Sequence, residues 1–384
     1  MNLNNRKLLG YILTVIPALL AFIQLFLLYK ISSLEANKYF SEISLSLMLS
    51  GILSFNTGYV FIMRAVELNN EELFNEYNGI ILFRIVGFLI IILPAILLFS
   101  KESSFFLIIY SFCKLLIEIK SVYLRAIDKI SELFKVVIIV FVVDLCVTIY
   151  CFFIAHDFII YYSIGSFLSL LIISNRNLFN HNINITFNKS KFKIYFSKIL
   201  PLSLSSVREN LSGSGLIFIA SYTLLNNDLE KLINGTKIYS VGSILIGVYS
   251  NFYVQDLLRK GRNIKDENIL MFLLLFSYFI LQLFLINTHL FSDVANKINI
   301  IFIFFYILGI VMQAKYFVYQ NTMLRNNKNI ELYIFESIYI ITFLITLITK
   351  NFNYYFIINF ISFSISFTII KIKTKIYELR LSRN

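Results

Sequence analysis

Runs of about twenty mostly apolar residues recur twelve times along this chain, and that recurrence leaves few ways to fold in water. The candidate runs lie near 8–29, 40–63, 79–99, 104–124, 135–155, 158–174, 197–225, 237–257, 269–289, 298–323, 331–349 and 352–371. At 58% hydrophobic and only 15% charged residues, the composition excludes an ordinary soluble domain, where about a quarter of residues are charged. The expected fold is an all-α integral membrane protein of about twelve transmembrane helices, with no soluble domain. The first run has no small-residue cleavage site and is expected to stay as a helix rather than leave as a signal peptide. Cys113, Cys146 and Cys151 all fall inside apolar runs without paired or metal-ligand spacing, so they are expected to be small buried hydrophobes.

Orientation follows from lysine and arginine in the short loops. With the N-terminus inside, the cytoplasmic segments carry 22 of these residues and the opposite loops 7. Both termini are therefore expected to be cytoplasmic. The net charge of +12 belongs to this topology rather than to nucleic-acid binding. The longest connection, 175–196, is basic and divides the chain into a six-helix half at 1–174 and another at 197–384 with a basic tail. Short echoes between the halves, such as Lys129-x-x-Glu132 and Lys328-x-x-Glu331, suggest a parallel pseudo-repeat.

Charged side chains at membrane depth are costly and turn toward a bundle interior or a wet cavity, so the few present are informative. In KLLIEIK (114–120), Lys114 stands near mid-depth and Glu118 is four residues on, on the same helix face. Two readings stay open: an intrahelical pair that neutralises itself, or a cavity in which Lys114 meets an anion. PLSLSSVRENLSGSG (201–215) is too polar to face lipid; it places Arg208 and Glu209 near mid-depth and ends in Gly213 and Gly215, a candidate hinge. Asp144 sits among apolar neighbours as a partner for a buried cation or as a protonatable, cation-binding carboxylate. Arg84, Lys315 and Glu336 lie nearer the cytoplasmic ends, within snorkelling reach. The histidines are scattered and no phosphate-cradling glycine loop is present, so neither a catalytic centre nor a cofactor nor a metal site is expected.

SFNTGYVFIMRA (54–65), VYLRAIDKISELFK (122–135), the proline-led polar segment from Pro201 and YQNTMLRNNKNIELYIF (319–335) together resemble the flippases of bacterial polysaccharide biosynthesis. Those flippases handle O-antigen and capsule repeat units and belong to the superfamily that includes the multidrug and toxic-compound extruders. The resemblance implies a multi-pass protein of the bacterial cytoplasmic (inner) membrane that is a transporter, not an enzyme. Its cargo would be an undecaprenyl-diphosphate-linked oligosaccharide, moved from inner to outer leaflet alongside other polysaccharide assembly proteins. H+ or Na+ would be the coupling ion. On that reading Lys114, Arg208, Arg84 and Lys315 are the candidates for the anionic diphosphate or sugar. Asp144, Glu209 and Glu118 are the candidates for ion coupling. Helix seven lacks the family's clear aspartate and carries the Arg208–Glu209 pair instead. A repeat-unit polymerase is the enzymatic alternative, disfavoured by outer loops of about a dozen residues at most. A drug or toxin exporter of the same superfamily is the other. The topology is open to a direct check: a reporter active only outside the membrane, fused to the C-terminus, is expected to be silent.

Overall fold

The computed structural model describes residues 32–54, 70–100, 104–127, 129–154, 157–174, 203–239, 307–313, 329–348 and 352–381, with a few single positions outside these ranges. Every regular element among them is helical. The expected span 269–289, the linker 175–196 and Lys315 lie outside the described residues, as do 240–257 of the expected span 237–257 and parts of 8–29 and 298–323. The chain forms two compact units, Met1–Tyr222 and Thr223–Asn384.

In the first unit, α1 (Ser33–Ser54) begins seven residues before the expected span. The Glu35 N–H donates to Ser32 Oγ at 3.4 Å, and Ser-x-x-Glu is the pattern that satisfies the first unpaired amides of a helix. Helix α2 (Asn70–Gly87) runs through a π turn (Phe88–Ile92) into α3 (Leu93–Phe99). Pro94 explains the wide turn: it has no N–H to donate and its ring crowds the carbonyl four residues back, so the ladder loosens just before it. Then come α4 (Ser104–Ala126), α5 (Ile130–Phe153) and α6 (Phe158–Ile173); α5 begins five residues before the expected 135, and the tight hairpin expected at 156–157 falls between α5 and α6. The stretches Asn75–Phe99 and Ile130–Phe153 are long and apolar enough to cross a membrane.

Helices α4, α5 and α6 pack against one another. Ile117, Leu124, Leu133, Val136 and Ile173 form the buried centre of that contact. Helices α5 and α6 approach closely because position 165 is glycine: a Cβ there would stand 2.7 Å from Val147 Cγ2. Leu89, Ile90, Leu98 and Phe153 turn outward, an apolar surface that suits lipid and not water. Cys113 and Cys151 are buried as expected, whereas Cys146 faces outward with the lipid-type residues.

The seventh expected span, 197–225, is helical over 203–210, opens into a second π turn (Leu211–Gly215) and closes again in α7 (Leu216–Thr223). The π turn packs against α1. The segment up to Tyr222 belongs to the first compact unit.

One element was not expected. Residues 226–236 read as an outer loop, yet Asn226–Tyr239 forms a helix, α8. Leu229, Leu232 and Ile233 are its buried side, with Asn226 and Asn227 turned out. That spacing is an amphipathic stripe whose short length hid it among polar neighbours. Within the second unit, α8 packs on α10 (Phe352–Leu381), and α10 runs beside α9 (Asn329–Ile348). Helix α10 continues ten residues past the expected end at 371. Tyr316, Phe335, Tyr339 and Phe363 fill the interface, with Tyr316 stacked on Phe335 at 4.3 Å. Glu336, within snorkelling reach on the sequence, is fully buried and accepts a hydrogen bond from the Tyr316 hydroxyl.

The α5–α6 crossing gives the first structural test. Gly165→Val is expected to lower stability by about 1–3 kcal/mol through overpacking, read as a reduced thermal unfolding midpoint of the purified protein in detergent.

Candidate functional site

Three ion pairs in the first unit gather six of the charged residues singled out in the sequence. Lys114 on α4 donates to Asp144 Oδ2 on α5 at 2.9 Å. Arg84 on α2 donates through Nη1 to Glu118 Oε1 on α4 at 2.9 Å. Arg208 donates through Nη2 to its neighbour Glu209 at 2.8 Å. Of the two readings left open for Lys114, the intrahelical pair with Glu118 is not formed; each residue has an interhelical partner instead. The geometry of antiparallel helices is the reason. Helices α4 and α5 turn near position 129, and Lys114 and Asp144 each lie fifteen residues from it, at one depth. Helices α3 and α4 turn near 101, and Arg84 and Glu118 each lie seventeen residues from that point. Thr148 and Tyr162 obey the same rule about position 155 and share a hydrogen bond at 2.5 Å. A pairing register measured from each turn would have found all three.

Around Asp144 the other groups are aromatic and hydroxylic. Thr148 Oγ1 donates to the Asp144 carbonyl at 2.7 Å. The Tyr162 ring lies 4.7 Å from that of Tyr39 on α1. Lys114 Nζ stands 5.5 Å above the centre of the Tyr110 ring, one helical turn away, as a cation over an aromatic face. Asp144 Oδ1 is buried and has no hydrogen-bond partner among the described residues.

The pairs differ in which partner can be reached. The arginine side chains of Arg84 and Arg208 are each 2% exposed, while Glu118 is 47% and Glu209 39% exposed. In the third pair the order reverses, with Lys114 24% and Asp144 7% exposed. A charge turned toward acyl chains is costly, so these exposures mark water-accessible space. Of the three cations in these pairs, Lys114 has the most exposed side chain.

Arg208 and Glu209 depend on a close helix crossing. Ser206 Oγ donates to the Gly51 carbonyl at 2.6 Å, and Asn210 Nδ2 donates to the Ser206 carbonyl at 2.7 Å. A Cβ at residue 51 would fall 1.7 Å from Asn210 Oδ1, so any larger residue there has to displace the Asn210 side chain. Gly213 and Gly215, the candidate hinge, both fall in the π turn; Gly213 faces open space, and a Cβ on Gly215 would stand 2.9 Å from Met48 Sδ.

With this geometry in hand, the chain can be set beside solved structures. Over 98% of its length it superposes on 96% of an inward-facing multidrug resistance MATE family transporter of the MOP superfamily, with a TM-score of 0.61 and 12% identity. A MOP superfamily transporter from Pyrococcus furiosus, described by a reversed polarity of its binding pocket, matches with a TM-score of 0.52 and 13% identity over 96% of this chain and 94% of that one. A eukaryotic MATE transporter matches with a TM-score of 0.51 and 11% identity over 95% and 94% of the two chains. The chain has the fold of the MATE transporters, which are multi-pass membrane proteins. No family model and no curated protein sequence matches it.

The crossing at residue 51 supplies a test. Gly51→Val is expected to displace Asn210 and reduce the amount of folded protein in the membrane, whereas Met48→Leu, a volume-conserving change nearby, is expected to be tolerated. Quantitative blots of purified membranes after mild heating check both.

Proposed function

We propose that this chain is a transporter of the bacterial cytoplasmic membrane that moves an undecaprenyl-diphosphate-linked oligosaccharide repeat unit from the inner to the outer leaflet by alternating access, coupled to an H+ or Na+ gradient. The observation that carries the reading is the Lys114–Asp144 pair, in which the ammonium of a partly exposed lysine is held by a buried carboxylate. A diphosphate is a multiple anion and binds an ammonium strongly where water is scarce. While Asp144 is ionised it competes for that ammonium. Neutralising Asp144 with the coupling ion releases Lys114 toward the diphosphate, so ion and cargo favour each other through one shared side chain. Arg84 and Arg208 contribute by fixing Glu118 and Glu209 rather than by touching the anion, and Lys315 keeps its proposed role as a further cation in the second unit. The π turn with Gly213 and Gly215 is the proposed flexing point.

A second reading is supported by the exposed carboxylates. Glu118 and Glu209 would suit an organic cation, and the fold is shared with multidrug resistance transporters. Deleting the gene separates the two. Lipid-linked repeat units trapped on the inner leaflet with unchanged sensitivity to organic cations are expected; heightened cation sensitivity with normal surface polysaccharide would establish the exporter instead. Within the protein, the double change Lys114→Leu with Asp144→Leu removes a buried pair without leaving a lone charge, so it is expected to insert at the normal level and abolish export. Surface polysaccharide and protein level measured together check this. Full export by that variant would remove the pair from the mechanism.

A further inference from the structure

We infer that Lys114 is a tethered occupant of a cation seat at Asp144, so that the cargo-free protein binds no metal cation there and exchanges only a proton. The inference rests on the reading above that Asp144 carries the coupling ion, and it chooses between the two ions left open.

The seat is built from two sides. Asp144 Oδ2 lies 2.9 Å from Nζ, and the Tyr110 ring offers its negative face 5.5 Å away. Carboxylate and aromatic face both select a cation, and the cation present is one that the chain carries itself. Two monovalent cations beside one carboxylate leave an uncompensated positive charge in an apolar surrounding, which is the costly state there. A sodium ion therefore has to expel the ammonium before it can enter.

A neighbouring hydroxyl one turn along α5 is also hydrogen-bonded already. Thr148 Oγ1 is engaged by the Asp144 carbonyl and by Tyr162, at 2.7 and 2.5 Å. A proton needs neither room nor extra ligands. It binds covalently to Asp144 Oδ1, the buried oxygen that has no hydrogen-bond partner among the described residues. The carboxylate becomes a neutral acid, the ammonium keeps its own protons, and the attraction between them falls from ion pair to dipole. The proton comes from water and returns to water from Asp144 Oδ1.

The titratable groups that face Asp144 are Lys114 and Tyr110 from α4, Tyr39 from α1 and Tyr162 from α6. Cys113 on α4 lies beside Lys114, and Cys151 on α5 beside Tyr162. Phenols and thiols are ordinarily neutral near pH 7, which leaves Asp144 and Lys114 as the charge-bearing pair of the seat.

The experiment uses the purified full chain in detergent, with radioactive sodium as the probe and unfolding midpoints compared in sodium chloride and choline chloride of equal strength. The wild-type protein is expected to bind no sodium above background and to unfold at the same temperature in both salts. Lys114→Ala empties the seat; that protein is expected to bind sodium and to gain about 2–4 °C in sodium chloride. Adding Asp144→Asn is expected to abolish both effects. Lys114→Met, which keeps most of the apolar stem, serves the same purpose should the alanine variant fail to fold. Sodium binding by the wild-type protein that Asp144→Asn removes would overturn the inference. So would a folded Lys114 variant that ignores sodium. These outcomes are independent of polysaccharide export, so a failure here is distinguishable from a failure of the transport reading.

Discussion

An ammonium and a carboxylate held 2.9 Å apart between α4 and α5 set the terms for the rest of the first unit. Neither charge is tolerable alone among apolar helices. Paired, they fix the depth at which one helix meets the other, and they oblige the neighbouring groups to be polar enough to complete the site without competing for it. Tyr110 turns its π face to Lys114, while the hydroxyls of Thr148 and Tyr162 satisfy the Asp144 carbonyl and each other. The same constraint explains why Arg84 is committed to Glu118. An arginine this deeply enclosed requires a carboxylate, and the carboxylate is left to face water.

Burial order within a pair decides its chemistry. Where the arginine is enclosed and the glutamate open, the guanidinium holds its charge and acts as a fixed brace. Where the lysine is the reachable partner and the aspartate is enclosed, one protonation event changes the fate of the cation. The first unit carries both arrangements, and the proposed switch uses the second.

Much of this was legible from the residues. Helix α4 was expected over 104–124 and spans Ser104–Ala126; α6 was expected over 158–174 and spans Phe158–Ile173. Such runs are long, apolar and bounded by polar turns, so length and composition suffice to locate them. The charged candidates at mid-depth were also visible, because a lone charge in an apolar run stands out. Their partners were not. A helix-periodicity argument looks along one helix and pairs Lys114 with Glu118, whereas the true partners lie across two adjacent hairpins. Helix α8 escaped for a different reason: a short amphipathic helix has the composition of a loop. The enclosure of Glu336 depends on aromatic residues brought from separate helices, which no local pattern records.

The π turn at Leu211–Gly215 also has a geometric meaning for the segment that contains it. One additional residue per wide turn advances the helical phase by about 100°. The polar portion, 203–210, and the apolar portion, Leu216–Thr223, are therefore two separately indexed screws on a single axis. The first is keyed by the Ser206 bond to Gly51, and the wide turn itself is keyed by Gly215 against Met48. Arg208 and Glu209 thus take their azimuth from α1, largely decoupled from the lipid-facing side of the helix that carries them.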